Sequence, residues 1–141
     1  MSEYLNSREP HILIVDDEPH VRLLIELTLT EMSDCQLAAS SVESAAQALL
    51  FLNQSKPDLI LLDILMPEMD GYELCRILKN NSETCEIPII FVTGVNDSFD
   101  QTLGFGLGAV DYICKPFDPN ELVARVENQL KLNGVKLAFK H

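Results

Sequence analysis

The run Leu59, Ile60, Leu61, Leu62 stops abruptly at Asp63, and the segment after it, DILMPEMDG, carries the turn formers Pro67, Asp70 and Gly71. Four apolar residues held between Pro57 and a Pro/Gly loop predict a parallel strand covered on both faces. Such a strand needs helices above and below it, which points to an α/β sheet. It also delivers one carboxylate to the carboxyl end of the sheet, the edge at which open α/β folds bind ligands.

The rest of the chain alternates in the same way. HILIV (His11 to Val15) reads as a strand that stops at Asp16, Asp17 and Glu18, and Pro19 suits the first turn of a helix with Val21, Leu24, Ile25 and Thr28 on one face. QLAAS (Gln36 to Ser40) is a weaker second strand, closed by a capping box of Ser40 with Glu43 before a helix face of Ala45, Ala48, Leu49 and Leu52. Asp58 to Asp63 is the third strand, and Leu74, Ile77 and Leu78 form the next apolar stripe. Ile87 to Val92 is the fourth, interrupted by Pro88 and running into Thr93 and Gly94. From Asp97 to Leu107, Phe99, Leu103 and Leu107 keep helical spacing, but Gly104 and Gly106 each cost about 1 kcal/mol of helix propensity, so this helix is expected to be the softest. The G-x-G-x-G of Gly104, Gly106 and Gly108 lacks a preceding strand and dinucleotide spacing; Gly108 is expected to end the helix as a left-handed cap. Val110 to Cys114 is the fifth strand, followed by Lys115, Pro116 and Phe117. Asp118, Pro119 and Glu121 open a last helix with Val123, Val126 and Leu130 on one face. Five β units alternating with five α units predict a doubly wound parallel sheet with helices on both faces and right-handed crossovers, and the arrangement expected for it is the flavodoxin-like (βα)5 one if the strand order is 2-1-3-4-5.

A chain of 141 residues fits one domain with a full core. The expected division is an N-terminal tail over 1–10, the domain over 11–133, and a C-terminal tail or linker stub over 134–141, where the pattern dissolves into GVKLAFKH. No apolar stretch approaches membrane-spanning length and MSEYLNSREP lacks the build of a signal peptide, so the expected location is the cytoplasm. Cys35, Cys75, Cys85 and Cys114 have no CxxC spacing and no neighbouring His, which signals neither a zinc site nor a disulfide framework. A formal net charge of −12 repels nucleic acid and acidic membrane surfaces, so neither is expected as a direct partner. His11, His20 and His141 read as surface histidines.

Each informative strand ends in a polar residue: Asp16 and Asp17 after the first, Asp63 after the third, Thr93 after the fourth, Lys115 after the fifth. With order 2-1-3-4-5 the first and third strands are neighbours, and Asp16, Asp17 and Asp63 share one crevice. Three carboxylates this close must bind protons or a cation, and their hard oxygens suit Mg²⁺ or Mn²⁺ rather than zinc. A cation beside a carboxylate, a lysine and a hydroxyl is apparatus for phosphoryl transfer. Asp63 would be the nucleophile, with Lys115 neutralising phosphoryl oxygens and the Thr93 hydroxyl donating to one of them.

These motifs taken together (DDE after the first strand, D-x-x-M-P-x-M-D-G from Asp63 to Gly71, Thr93 with Gly94, and DYICKPF) resemble the receiver domain of two-component response regulators, over about His11 to Asn133. The resemblance implies a signalling phosphoacceptor rather than an enzyme, one that assists only its own phosphorylation and dephosphorylation. It implies Asp63 as the phosphoacceptor, Asp17 and Asp63 as direct Mg²⁺ ligands with the main-chain carbonyl of Leu65, and Asp16 acting mostly through water. It implies a cis peptide before Pro116, and a switch in which Thr93 moves toward the phosphoryl group and Tyr112 turns inward, remodelling the surface of helix four, strand five and helix five. The implied donor is a sensor histidine kinase or histidine phosphotransfer protein; an output domain, a partner protein or a phosphorylation-dependent homodimer would read that surface.

Gly94 replaces the commoner alanine or serine, and the positions two after Asp63 and Thr93 are the apolar Leu65 and Val95, neither of which can orient an attacking water. Slow hydrolysis of the phosphorylated form is expected. Two other readings carry different expectations. A haloacid-dehalogenase-type phosphatase also uses Asp, Mg²⁺, Thr and Lys, but needs an acid two residues after a nucleophile on the first strand, for which Asp16 followed by Glu18 is a poor substitute. A receiver-like module that binds proteins independently of phosphorylation would fail to bind Mg²⁺.

Overall fold

The computed structural model describes residues 9–94 and 100–140. Most of the 1–10 segment lies outside the described residues, as do Val95, Asp97, Phe99 and His141. Five strands, β1 (His11–Val15), β2 (Ala38–Val42), β3 (Leu59–Asp63), β4 (Ile89–Gly94) and β5 (Asp111–Lys115), form one parallel sheet in the order β2-β1-β3-β4-β5. Helices α1 (Pro19–Leu27), α2 (Ala45–Gln54), α3 (Gly71–Lys79) and α4 (Gln101–Gly106) make the crossovers, and α5 (Pro119–Leu132) follows β5.

Strand alternation sorts the sheet into two apolar layers. Leu13, Val15, Ile60, Leu62 and Phe91 face α2 and α3, packing on Ala48, Leu52, Leu74 and Leu78. Ile12, Ile14, Leu59, Leu61, Val92 and Ile113 face α1 and α5, packing on Val21, Ile25, Leu29, Leu122, Val126 and Leu130. All five residues of β3 are buried, as a strand covered on both faces requires.

Several boundaries differ from the sequence reading. β2 begins at Ala38 because its pairing with His11–Val15 carries it through Val42. Ser40 therefore sits within the strand, bonded through Oγ to His11 Nε2 at 2.7 Å. The cap of α2 is instead Ser44, whose hydroxyl accepts the Gln47 N–H, while Gln47 Oε1 accepts that of Glu43. β4 starts after Pro88, which has no N–H to give and uses only its carbonyl, accepting from Ile60 N at 3.0 Å. In α1, Val21 and Ile25 face the core while Leu24 is 52% exposed, because the buried stripe continues to Thr28 and Leu29 instead. That helix runs into a π-turn over Thr28–Met32, where the Thr28 and Thr30 hydroxyls donate back to the carbonyls of Leu24 and Glu26. In α5 it is Leu122, not Val123, that is fully buried beside Val126 and Leu130. α4 spans six residues, the shortest of the described helices, and Gly108 follows it at φ +109°.

Residues 135–140 are packed against the domain. Gln36 N donates to Ala138 O and Lys140 N to Asp34 O, each at 2.8 Å, and Cys35 and Phe139 form an antiparallel bridge. The alternation of Val135 and Leu137 with Lys136 and Ala138, too short to read as an element in sequence, puts the two apolar residues half-buried on the layer under α1 and α5.

Candidate functional site

The sheet register brings the polar strand ends together. β1 and β3 are paired so that Val15 lies opposite Leu62, which sets Asp16 level with Asp63. β4 and β5 are paired so that Thr93 lies opposite Cys114, and Gly94 opposite Lys115. Asp16 is 1% exposed and Asp63 3%. Between them lies the Lys115 ammonium, with Nζ 2.8 Å from Asp16 Oδ2, 3.4 Å from Asp63 Oδ1 and 3.7 Å from Glu18 Oε1. The Lys115–Pro116 peptide is cis.

Local structure holds each of these groups. Asp16 Oδ1 accepts the Glu18 N–H at 2.9 Å, closing the turn between β1 and α1, and Arg22 Nη1 donates to the Asp16 carbonyl at 2.8 Å. Behind Asp63, Gly71 N donates to Ile64 O at 2.8 Å. A Cβ at Gly71 would overlap the Asp63 carbonyl and lie 2.9 Å from Ile64 Cα, so only glycine lets α3 start this close to the carboxylate-bearing main chain. Asp70 caps α3 by accepting the Glu73 N–H.

The charges are not balanced by the chain alone. Burial, and then the neighbouring Asp16 carboxylate, push the Asp63 carboxyl from 3.8 up to about 7, against the pull of Lys115. Burial also opposes the charge on Lys115, but the hydrogen bond and charge of Asp16, with those of Asp63, outweigh it and hold the ammonium above its usual value. Carboxylate oxygens of Asp16, Asp17 and Glu18 all lie within 4.8 Å of one another. An acid-rich, all-oxygen pocket with one ammonium, buried at Asp16 and Asp63 and open to solvent at Asp17 and Glu18, fits a small divalent cation: its donors are hard, and it carries more negative charge than the one ammonium offsets.

Of the residues singled out from sequence, Asp16, Asp63 and Lys115 meet directly, and Asp17 joins the acidic cluster with Glu18. Thr93 is 1% exposed at the same edge, its hydroxyl donating weakly to the Gly94 carbonyl at 3.4 Å. Leu65 is 59% exposed in the loop beyond β3. Tyr112 is half-buried, its hydroxyl accepting from Gln101 Nε2 of α4 at 2.7 Å and its ring 6.1 Å from Phe105. Sequence reasoning did not assign roles to Glu18 or Arg22. Glu18 was visible as the third acid after β1; the reach of Arg22 back to the Asp16 carbonyl depends on how α1 leaves the sheet.

Comparison with known proteins agrees with this geometry. The sequence model of the response regulator receiver domain matches residues 12–127. The transcriptional regulatory protein BaeR of Escherichia coli is 40% identical over 127 residues, 90% of this chain and 50% of that protein. The DNA-binding dual master transcriptional regulator RpaA of Synechocystis is 38% identical over 135 residues, 94% of this chain and 54% of that one. The chain thus spans about half the length of these curated relatives. Among solved structures, a putative response regulator from Chloroflexus aurantiacus superposes with a TM-score of 0.81 at 35% identity, covering 88% of this chain and 99% of that one. The signal receiver domain of a signal transduction histidine kinase from Syntrophus aciditrophicus does so at 0.78 and 38%, covering 90% and 92%. With the family model spanning most of its length and the acidic pocket at the carboxyl edge of a 2-1-3-4-5 sheet, this chain belongs to the response regulator receiver domain family.

Proposed function

We propose that the chain accepts a phosphoryl group from a phosphohistidine onto Asp63 and relays the change to the surface formed by α4, β5 and α5. One observation carries this reading: the Lys115 ammonium bridges the buried carboxylates of Asp16 and Asp63, at the ends of three different strands. A carboxylate nucleophile, an acid pair and a fixed ammonium are what transfer to an aspartate needs, because the catalytic task is to position the group and neutralise its oxygens.

In this reading a carboxylate oxygen of Asp63 bonds to phosphorus while the P–N bond to the donor imidazole breaks, its electron pair staying on the ring nitrogen, which then takes a proton. Lys115 is already within reach of that carboxylate, and Thr93, buried at the same edge of the sheet, would donate its hydroxyl to a phosphoryl oxygen. Asp17 and Asp63, with the main-chain carbonyl of Leu65, would hold Mg²⁺ or Mn²⁺, with Asp16 acting through water. The bound ion would supply positive charge against the transferring oxygens.

The donor in this proposal is a sensor histidine kinase or histidine phosphotransfer protein. The reading end is the α4-β5-α5 surface, where Leu103, Phe105 and Val110 are exposed and where Thr93 and Tyr112 act as the switch. An output domain, a partner protein or a second copy would bind there. DNA binding, named for RpaA, belongs to a protein about twice as long, and we assign no nucleic-acid contact to this chain, whose net charge is −12. No helix among the described residues is long and apolar enough to cross a membrane, and we assign the chain to the cytoplasm.

Intact-mass spectrometry after incubation with Mg²⁺ and acetyl phosphate tests the reading. A gain of one phosphoryl group in the wild type, absent in Asp63→Asn and abolished by chelating the metal beforehand, is expected. No gain in a folded wild-type chain would refute it and leave a phosphorylation-independent binding module.

A further inference from the structure

Two tyrosines from different elements hold the start of α4. Tyr112 of β5 accepts from the Gln101 side chain, as described above. The other is Tyr72, whose phenolic oxygen accepts the main-chain N–H of Asp100 at 2.9 Å, across 28 residues of sequence. Asp100 is the N-cap of α4: its carboxylate accepts the Leu103 N–H and its carbonyl the Gly104 N–H. Tyr72 thus anchors the residue on which the first turn of α4 is built.

The other end of Tyr72 is fixed to the phosphoacceptor. It follows Gly71, the residue packed against the Asp63 carbonyl with no room for a Cβ and bonded to Ile64 O. Its ring meets Phe91 of β4 edge-on, centroids 5.4 Å apart at 60°, and Phe91 is completely buried. Ring and main chain are therefore clamped against β3 and β4, and the hydroxyl projects from that rigid base to α4. The helix it holds is six residues long and contains two glycines, too short and too weak in propensity to define its own position. Its placement depends on what grips it from outside.

We propose that the Tyr72 hydroxyl is a positioning residue of the switch, tying α4 to the Asp63 main chain and favouring the resting arrangement. Loss of that hydrogen bond raises the share of the competing arrangement of α4. The regulatory half of this inference rests on the phosphoacceptor reading; the tether itself does not.

Tyr72→Phe in the full chain removes the acceptor and keeps the ring on Phe91. Hydrogen exchange at the Leu103, Gly104 and Leu107 amides is expected to speed up about fivefold, the equivalent of one neutral hydrogen bond, with β1 and β3 unchanged. The labelling rate of Asp63 by acetyl phosphate with Mg²⁺ is expected to rise by a similar factor. Unchanged exchange in α4 overturns the tether. Faster exchange with unchanged labelling makes the contact merely structural and overturns its role in the switch. Should the wild type take no phosphoryl group at all, the proposed function fails and the exchange comparison still decides the tether. Tyr72→Leu serves as the control for packing: it lowers the urea midpoint by clearly more than Tyr72→Phe, whose loss is that of one hydrogen bond.

Discussion

Replacing Asp63 with Asn in metal-free protein is expected to stabilise the fold, and to do so more at pH 8 than at pH 5. Asp63 is nearly inaccessible beside Asp16, and its carboxyl rises from 3.8 in the unfolded chain to about 7. A group raised in this way takes up a proton on folding, so its favourable contribution is complete below about pH 4 and is lost as the pH climbs through 7. At pH 8 a rise of about 3 units amounts to about 4 kcal/mol of destabilisation relative to a neutral side chain. At pH 5, where the folded carboxyl is still protonated, the same arithmetic leaves about 2 kcal/mol. Relaxation around the charge and loss of the Lys115 contact shrink both figures, so gains of roughly 2 kcal/mol at pH 8 and 1 kcal/mol at pH 5 are expected. Urea unfolding followed by far-ultraviolet circular dichroism, in EDTA and with unchanged m-values, measures them. The same gain at both pH values, or a loss, would refute the claim that uncompensated negative charge is concentrated at Asp63. Adding Mg²⁺ extends the test: the ion should stabilise the wild type by about 2.7 kcal/mol at a hundredfold excess over its dissociation constant, and Asp63→Asn by less.

Other substitutions probe the surrounding structure. Gly71→Ala forces the start of α3 off the Asp63 main chain and should cost about 1–3 kcal/mol while slowing acetyl-phosphate labelling; a wild-type melting temperature and labelling rate would count against the close approach. Leu65→Asn offers a polar group at an exposed position beside the phosphoacceptor, and the phosphorylated form should decay faster, read as the half-life of the added mass; equal half-lives would show that the apolar Leu65 does not set the lifetime. Ending the chain after Asn133 uncovers the half-buried Val135 and Leu137 sites and removes the pairing with residues 34–36, which should lower stability by about 1–2 kcal/mol. An unchanged urea midpoint would mean that residues 135–140 add nothing to the fold.

Much of the architecture was legible because burial on both faces of a parallel strand leaves a plain trace. LILLD, HILIV and IPIIFV are apolar runs that stop at a polar residue, and five strands alternating with helix stripes admit few topologies. Part of the site was legible for the same reason: strands that run in one direction bring their last residues, here Asp16, Asp63, Thr93 and Lys115, to one edge of the sheet. Local chemistry was also readable where one side chain suffices, as with Asp118 and Gly108.

What remained hidden depended on partners far away in sequence. Whether Ser40 or Ser44 capped α2 was decided by the register of β2 against β1. The tail looked patternless because its pairing partner, residues 34–36, lies about a hundred positions earlier and is itself irregular. Arg22 on the Asp16 carbonyl and Tyr72 on the Asp100 N–H follow from how α1 and α3 leave the sheet, which no local spacing encodes. The sequence by itself determined the α/β class and the acids, hydroxyl and ammonium at the strand ends, because periodicity and strand ends are properties of short stretches. Only the tertiary structure decided the 2.8 and 3.4 Å contacts of Lys115, the elevated proton affinity of Asp63 and the grip on α4, since distance, burial and charge balance arise only when separate stretches pack together.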